Sequence, residues 1–171
     1  MERIEQAVIL AAGEGQRLRP FTASKPKVML PIANKPILRY VVESVAQNGI
    51  RKITIVVGYR KEQVMDYFGS GEQFDVELEY IEQKQQLGTA HALKQLKGKV
   101  KGNFLVLSGD NIIETDTIAG LVQEKPDAIL VKEQENISKY GVVEAQNGIV
   151  TCIVEKPKEM LSHLVNTGIY A

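Results

Sequence analysis

Apolar and polar positions along this chain fall into blocks whose period switches between that of a strand and that of a helix. Ala7 to Ala12 is a continuous apolar run that reads as a buried strand and breaks at Gly13-Glu14-Gly15. Pro36 opens a helix reaching Asn48, with Ile37, Leu38, Val41, Val42 and Val45 on one face and stop signals at Asn34 and Gly49. Ile53 to Val57 is a second short buried strand, and Lys61 to Phe68 a second helix, closed by Gly69-Ser70-Gly71. Val76 to Ile81 alternates apolar with acidic side chains, the pattern of a strand covered on one face only. Gly88 to Leu96 then reads as helix, Phe104 to Leu107 as buried strand, Glu114 to Gln123 as helix and Ala128 to Lys132 as strand. Val142 to Ala145 and Ile149 to Glu155 flank Asn147-Gly148, a strong hairpin signal. Val165 to Ala171 stops in what reads as the middle of a further strand, so a chain truncated at its C-terminus is expected.

Strands alternating with helices imply βαβ units joined by right-handed crossovers. The expected fold class is α/β: a Rossmann-like mixed, mainly parallel sheet with helices on both faces and an antiparallel hairpin. No repeat, low-complexity tract or linker divides the sequence, so one incomplete domain over residues 1–171 is expected. A chain of this length buries roughly 70% of the surface its unfolded form exposes, enough for a single core.

Composition narrows the partners. Lys and Arg number 21, and so do Asp and Glu, which leaves no overall field to draw nucleic acid or an anionic membrane; any anion affinity must be local. The lone Cys152 alternates with Val150 and Val154, which predicts a core residue rather than a nucleophile and leaves no disulfide within the chain. The N-terminus, MERIEQAVIL, has charges too close together and too short an apolar run for a signal peptide. No other stretch is apolar for long enough to span a bilayer, so a soluble cytoplasmic protein is expected.

Candidate chemistry begins after the first strand. Glycines at 13 and 15 let successive N–H groups turn toward one point, a nest that holds an anion. Arg17, Arg19, Lys25 and Lys27 add charge, Arg17 as a planar fork and Lys27 as a point charge, so a polyphosphate is the expected ligand. Leu18 stands where a dinucleotide fingerprint needs its third glycine, and the Gly-Lys-Ser/Thr of a Walker loop is absent. Two glycines after a strand also make an ordinary turn, and spacing alone leaves that reading open. Ligands of open α/β sheets bind beyond the carboxyl ends of the strands, where Gln83 and Asp110 are also expected, so all three groups should converge on one cleft. Gln83 could read a pyrimidine edge through its amide, with Gly88 letting the base approach the backbone, or could be a polar loop residue before a helix. Asp110 offers a hard oxygen to Mg²⁺, which uses only one or two protein carboxylates, or caps the helix that follows.

Several ordered motifs resemble those of the sugar-1-phosphate nucleotidylyltransferases. They are Leu10-Ala11-Ala12-Gly13-Glu14-Gly15-Gln16-Arg17-Leu18-Arg19-Pro20, Ser24-Lys25-Pro26-Lys27 with Leu30-Pro31, the Gln83 to His91 segment QKQQLGTAH, Leu107-Ser108-Gly109-Asp110-Asn111, Tyr140-Gly141-Val142-Val143-Glu144, Val154-Glu155-Lys156-Pro157 and Val165-Asn166-Thr167-Gly168. The resemblance covers Val8 to Tyr170. It implies that Leu10, Ala11, Ala12, Gly13 and Gly15 wrap the nucleotide phosphates, that Arg17 stabilises departing pyrophosphate and that Lys27 contacts phosphate. It further implies that Gln83 and Gly88 meet a uracil or thymine, that Thr89 is nucleotide-binding, that Asp110 binds the catalytic Mg²⁺, that Gly141, Glu155 and Asn166 hydrogen-bond sugar hydroxyls and that Lys156 contacts the sugar phosphate. Gln16 stands where the family usually has Thr, which puts a side-chain phosphate contact in question. The family's downstream segment, which supplies a second metal ligand, has no counterpart in this sequence.

The implied reaction moves a nucleotidyl group from UTP or dTTP to a sugar 1-phosphate, glucose-1-phosphate or N-acetylglucosamine-1-phosphate, releasing pyrophosphate. Nucleoside triphosphate and sugar 1-phosphate are then the partners, with no nucleic acid and no membrane, and a homo-oligomer is left open. A phosphate monoester is already mostly dianionic at neutral pH, so no side-chain nucleophile or base is needed. The two histidines, His91 and His163, belong to no hydrolase motif, and His91 is expected on its helix, outside the chemistry. Two competing readings remain: a non-catalytic nucleotide- or sugar-nucleotide-sensing module of the same fold, and a dinucleotide-binding oxidoreductase, which Leu18 disfavours.

Overall fold

Strand β1 (Gln6–Ala11) lies at the centre of a sheet that the rest of the chain covers on both faces. The computed structural model describes residues 4–123 and 127–171; Met1 to Arg3, the start of the N-terminal stretch read above, lie outside the described residues. After β1 the chain runs through two 3₁₀ turns (Gln16–Leu18 and Lys27–Met29) and a two-residue hairpin, β2 (Pro31–Ile32) and β3 (Lys35–Pro36), into α1 (Ile37–Gln47). There follow β4 (Lys52–Val57), α2 (Lys61–Phe68), β5 (Glu77–Glu82), α3 (Thr89–Lys94), β6 (Phe104–Ser108) and α4 (Thr115–Gln123). The last part is strand only: β7 (Ile129–Glu133), β8 (Gly141–Gln146), β9 (Ile149–Glu155) and β10 (Leu164–Tyr170).

The sheet runs β5-β4-β1-β6-β10-β8-β9, with β7 also paired to β10. β5, β4, β1 and β6 are parallel, whereas β10 is antiparallel to β6, β7 and β8, and β8 and β9 form the hairpin around Asn147-Gly148. The expected mixed, mainly parallel architecture is therefore present, and the pleat explains the two cores. Ala7, Ile9 and Ala11 of β1 join Ile53, Ile55 and Val57 of β4 against Leu38, Val41, Val42 and Val45 of α1, Val64 and Phe68 of α2 and Ile118 of α4. Val8 and Val56 face the other way, with Ala12, onto Ala92 of α3 and the nearby Leu96. Each Val, Leu, Ile or Phe among them contributes roughly 1.5–3 kcal/mol when fully buried, so the helices owe their place to these stripes more than to local propensity.

Two expectations need correction. Cys152 is half-buried rather than in the core, and its thiol lies 3.0 Å from Glu144 Oε2. The hairpin β8–β9 ends the sheet, and Ile149, Val150 and Ile153 are exposed on it, so alternation there does not mark a covered face. The segment before α1 is a tight hairpin, with Ala33 (φ 47°) and Asn34 (φ 65°) at its turn, so Asn34 turns a ribbon rather than bounding the helix directly. Among the described residues no helix is long and apolar enough to cross a membrane.

Candidate functional site

The parallel register puts the ends of four strands side by side. Ala11 pairs with Val57 and Val57 with Glu82, while Leu10 pairs with Ser108, so the residues that follow β1, β4, β5 and β6 emerge at one edge. Gly13, Gln83 and Asp110 thus share that edge, as expected.

The loop after β1 is held open by its neighbours. Gly15 sits in the left-handed region (φ 73°), and its carbonyl accepts from the Leu18 amide (2.9 Å) and from the hydroxyl of the fully buried Thr22 (2.9 Å). The far side of the loop is pinned from the segment after β4: the Tyr59 hydroxyl (3.0 Å) and Arg60 Nη2 (3.0 Å) donate to the Ala23 carbonyl, and Gln63 Nε2 donates to that of Ser24 (2.8 Å). Meanwhile the N–H groups of Gly13, Glu14 and Gly15 meet no acceptor among the described residues. Arg19 pairs with Glu14, whose carboxyl it holds below the ordinary value, mainly by hydrogen bonding. Arg17 is exposed, with no carboxylate in ion-pair range among the described residues. The loop therefore offers free amides and one uncommitted guanidinium to an anion.

Lys27 and Asp110 form an ion pair across 83 positions of chain. Asp110 also accepts from the Ser108 hydroxyl. Burial pushes its carboxyl up, but the hydrogen bonds from Lys27 and Ser108 together with the ammonium charge outweigh that, and the net shift is downward. Asp110 is thus an anion at neutral pH. It does not cap a helix, since α4 starts only at Thr115.

Two hollows open at this edge, and Asp110 lines the larger. The smaller, about 300 Å³, is lined by Leu10, Ala12, Gly13, Gln83, Gln86, Gly88, Thr89 and Ala92. Gln83 is buried there (5% exposed): its Nε2 donates to the Gly88 carbonyl (3.2 Å) and lies 3.0 Å from His91 Nδ1. Ala11 points its side chain into the core on the opposite face of the sheet, so only its backbone is near this hollow. The larger hollow, about 950 Å³, has Asp110, Asn111, Lys132, Tyr140, Asn166 and Thr167 in its wall. Asn111 Nδ2 ties it to β10 by donating to the Thr167 carbonyl (3.1 Å).

Gly141, Glu155 and Asn166 are brought together: Gly141 pairs with Glu155 across the hairpin, and a Cβ on Gly141 would stand 3.0 Å from Glu155 Oε2 and 3.7 Å from Asn166 Cβ. Lys156 has a left-handed backbone (φ 46°), and its Nζ lies 3.8 Å from Glu155 Oε1, both side chains being well exposed. Three contributors escaped the sequence: Ser108 beside Asp110, Thr22 beneath Gly15 and His91 behind Gln83. Of these, Ser108 and His91 lay inside motifs already singled out, and Thr22 lay between two of them.

Among the described residues no cluster of three or more His, Cys, Asp or Glu could hold a metal unaided. A single carboxylate still fits Mg²⁺, which draws its other ligands from phosphate and water.

Comparison with known proteins agrees with this geometry. A family model described as nucleotidyl transferase matches residues 6–171. The bifunctional protein GlmU of Methanococcus maripaludis is 44% identical over 168 residues, which cover 96% of this chain and 39% of that protein. The UTP–glucose-1-phosphate uridylyltransferase AglF of Haloferax volcanii is 38% identical over 172 residues, 96% of this chain and 70% of AglF. A crystal structure from Bacillus anthracis described as a glucose-1-phosphate thymidylyltransferase superposes with a TM-score of 0.83 at 30% identity, over 96% of this chain and 70% of that one. The chain thus spans about two fifths of the length of the GlmU relatives it matches.

Proposed function

The chain belongs to the nucleotidyl transferase family, and from that premise we propose that the full-length protein transfers a nucleotidyl group from UTP or dTTP to a sugar 1-phosphate. The acceptor is glucose-1-phosphate or N-acetylglucosamine-1-phosphate, and the products are a nucleotide sugar and pyrophosphate. The observation that carries the proposal is the Lys27–Asp110 pair, whose Asp110 lines a hollow walled by Asn166, at the same sheet edge as a smaller hollow with a buried amide.

An oxygen of the sugar phosphate attacks the α-phosphorus in line; the bond to the bridging oxygen breaks, and its electron pair leaves with pyrophosphate. The attacking phosphate is already dianionic, so the work of the protein is to align two anions and neutralise growing charge. The free amides at Gly13, Glu14 and Gly15 and the backbone at Leu10 to Ala12 receive the triphosphate. Lys27 turns from Asp110 to the phosphates and screens their repulsion, while Arg17 holds the leaving group. Asp110 would hold a divalent cation, which we assign to Mg²⁺; when bound, it supplies charge neutralisation at phosphate oxygens. Gln83, Gly88 and Thr89 read the base, and Gly141, Glu155 and Asn166 the sugar, with Lys156 reaching its phosphate.

The test is a matrix of nucleoside triphosphates against sugar 1-phosphates with the full-length protein, scored by pyrophosphate. Release that needs both UTP or dTTP and a sugar 1-phosphate supports the proposal. Tight nucleotide binding without pyrophosphate from any combination would favour a sensing module instead.

A further inference from the structure

The contact between Gln83 and His91 determines more than the place of one side chain. A primary amide presents a donor at one end and an acceptor at the other, and which end faces a ligand is set by the groups around it. The Gly88 carbonyl can only accept, so the end of Gln83 that faces it at 3.2 Å must be the NH₂. The same nitrogen lies 3.0 Å from His91 Nδ1. That ring nitrogen must therefore carry the lone pair, with the proton on Nε2. The Gln95 amide nitrogen is 3.3 Å from Nε2 and also 3.2 Å from the His91 carbonyl. Gln95 is half-exposed and Gln83 is buried, so Gln95 is the amide that turns to accommodate the ring proton.

Both hydrogens of the Gln83 amide are thus committed within the protein. Its Oε1 has no donor among the described residues, and no buried side-chain polar atom there lacks a partner, so Oε1 opens onto the smaller hollow.

We infer that His91 is a positioning residue: with the Gly88 carbonyl it locks the Gln83 amide so that the hollow offers an acceptor, which suits a pyrimidine carrying N3–H and opposes cytosine, whose N3 is a bare lone pair. The inference rests on the reading of this hollow as a uracil or thymine site. It adds that specificity depends on a residue that touches no base. Without Nδ1, the amide keeps only one of its two anchors, and its reversed orientation, which welcomes cytosine, becomes less unfavourable.

The experiment measures equilibrium binding of UTP and CTP to the full-length protein by calorimetry, for wild type, His91→Leu and His91→Asn. Wild type should prefer UTP. His91→Leu should lower the UTP:CTP preference about three- to tenfold, the worth of one hydrogen bond. His91→Asn, whose Oδ1 can accept where Nδ1 did, should recover most of it. Equal weakening of both nucleotides by His91→Leu would mark a merely structural role and overturn the inference while leaving the uracil-site reading intact. A wild type that binds UTP and CTP alike would overturn that reading and the inference with it. An independent readout is the ¹⁵N spectrum of the imidazoles in the ligand-free protein: His91 protonated at Nε2 is expected, and a proton on Nδ1 would refute the lock outright.

Discussion

Replacing Gly15 by alanine separates the claim that this loop is a built phosphate cradle from the view that two glycines merely make a turn. Gly15 has φ 73°, and a Cβ there would stand 2.8 Å from Lys27 Cβ, 3.3 Å from Lys27 Cγ and 3.3 Å from Thr22 Cγ2. The left-handed backbone costs an L residue ~1–2 kcal/mol. The overlap adds ~1–3 kcal/mol, because the atom met first is the root of the lysine side chain and cannot swing aside. Together these remove ~2–5 kcal/mol from a domain whose whole stability is on the order of 5–15 kcal/mol, a loss of about 1–2 M in urea midpoint. Relief must come by moving Lys27 at its root, which displaces its ammonium from the place where it would meet the phosphates, so pyrophosphate release should fall as well. Gly13→Ala is the control. Gly13 is not in the positive-φ region, and a Cβ there meets nothing within 4 Å, so its stability should change by no more than about 0.5 kcal/mol. Paired urea titrations of the two variants decide the matter: midpoints that fall equally, or not at all, would refute the reasoning.

Three further outcomes follow from the same geometry. Arg17→Ala should lower turnover by about 10²–10³ while leaving the urea midpoint in place, since this side chain is exposed and unpaired among the described residues; undiminished turnover would remove it as the leaving-group residue. Asp110→Asn should raise the Mg²⁺ concentration for half-maximal activity by about tenfold or more, and an unchanged Mg²⁺ titration would take Asp110 out of the metal site. Burial pushes the Tyr80 hydroxyl, which donates to the Gly69 carbonyl (2.7 Å), up to about 12. The unfolded chain ionises it near 10, so the stability Tyr80 contributes is full below pH 10 and lost between about 10 and 12. Wild type should therefore lose stability more steeply than Tyr80→Phe over that range, and parallel slopes in urea titrations at several pH values would contradict the assignment.

Much of the fold is legible in the sequence because burial leaves a period. The apolar runs of β1, β4 and β6 are covered on both faces, the stripe of α1 is covered on one, and the acidic alternation of β5 belongs to an edge strand. Periodicity says that a face alternates, not that anything covers it, which is why Cys152 was expected in the core and lies half-exposed on the outer hairpin. Strands of two residues, as in β2 and β3, are too short to carry a period. At the site, strand ends placed Gln83 and Asp110 at the correct edge, but side-chain pairing lies beyond pattern. Lys27 reaches Asp110 only because β1 and β6 are sheet neighbours. His91 reaches back to Gln83 from the first turn of α3, which follows directly on Gly88 at φ 95°, a backbone that favours glycine. Neither geometry leaves a trace in spacing.

The most direct measurement follows phosphorus. UTP labelled with ³²P at the α position, and separately at the γ position, is incubated with the full-length protein, Mg²⁺ and glucose-1-phosphate or N-acetylglucosamine-1-phosphate. The α label should appear in the nucleotide sugar and the γ label in pyrophosphate, in equal amounts. Transfer of the γ label to the sugar, or release of the α label as free UMP, would contradict nucleotidyl transfer.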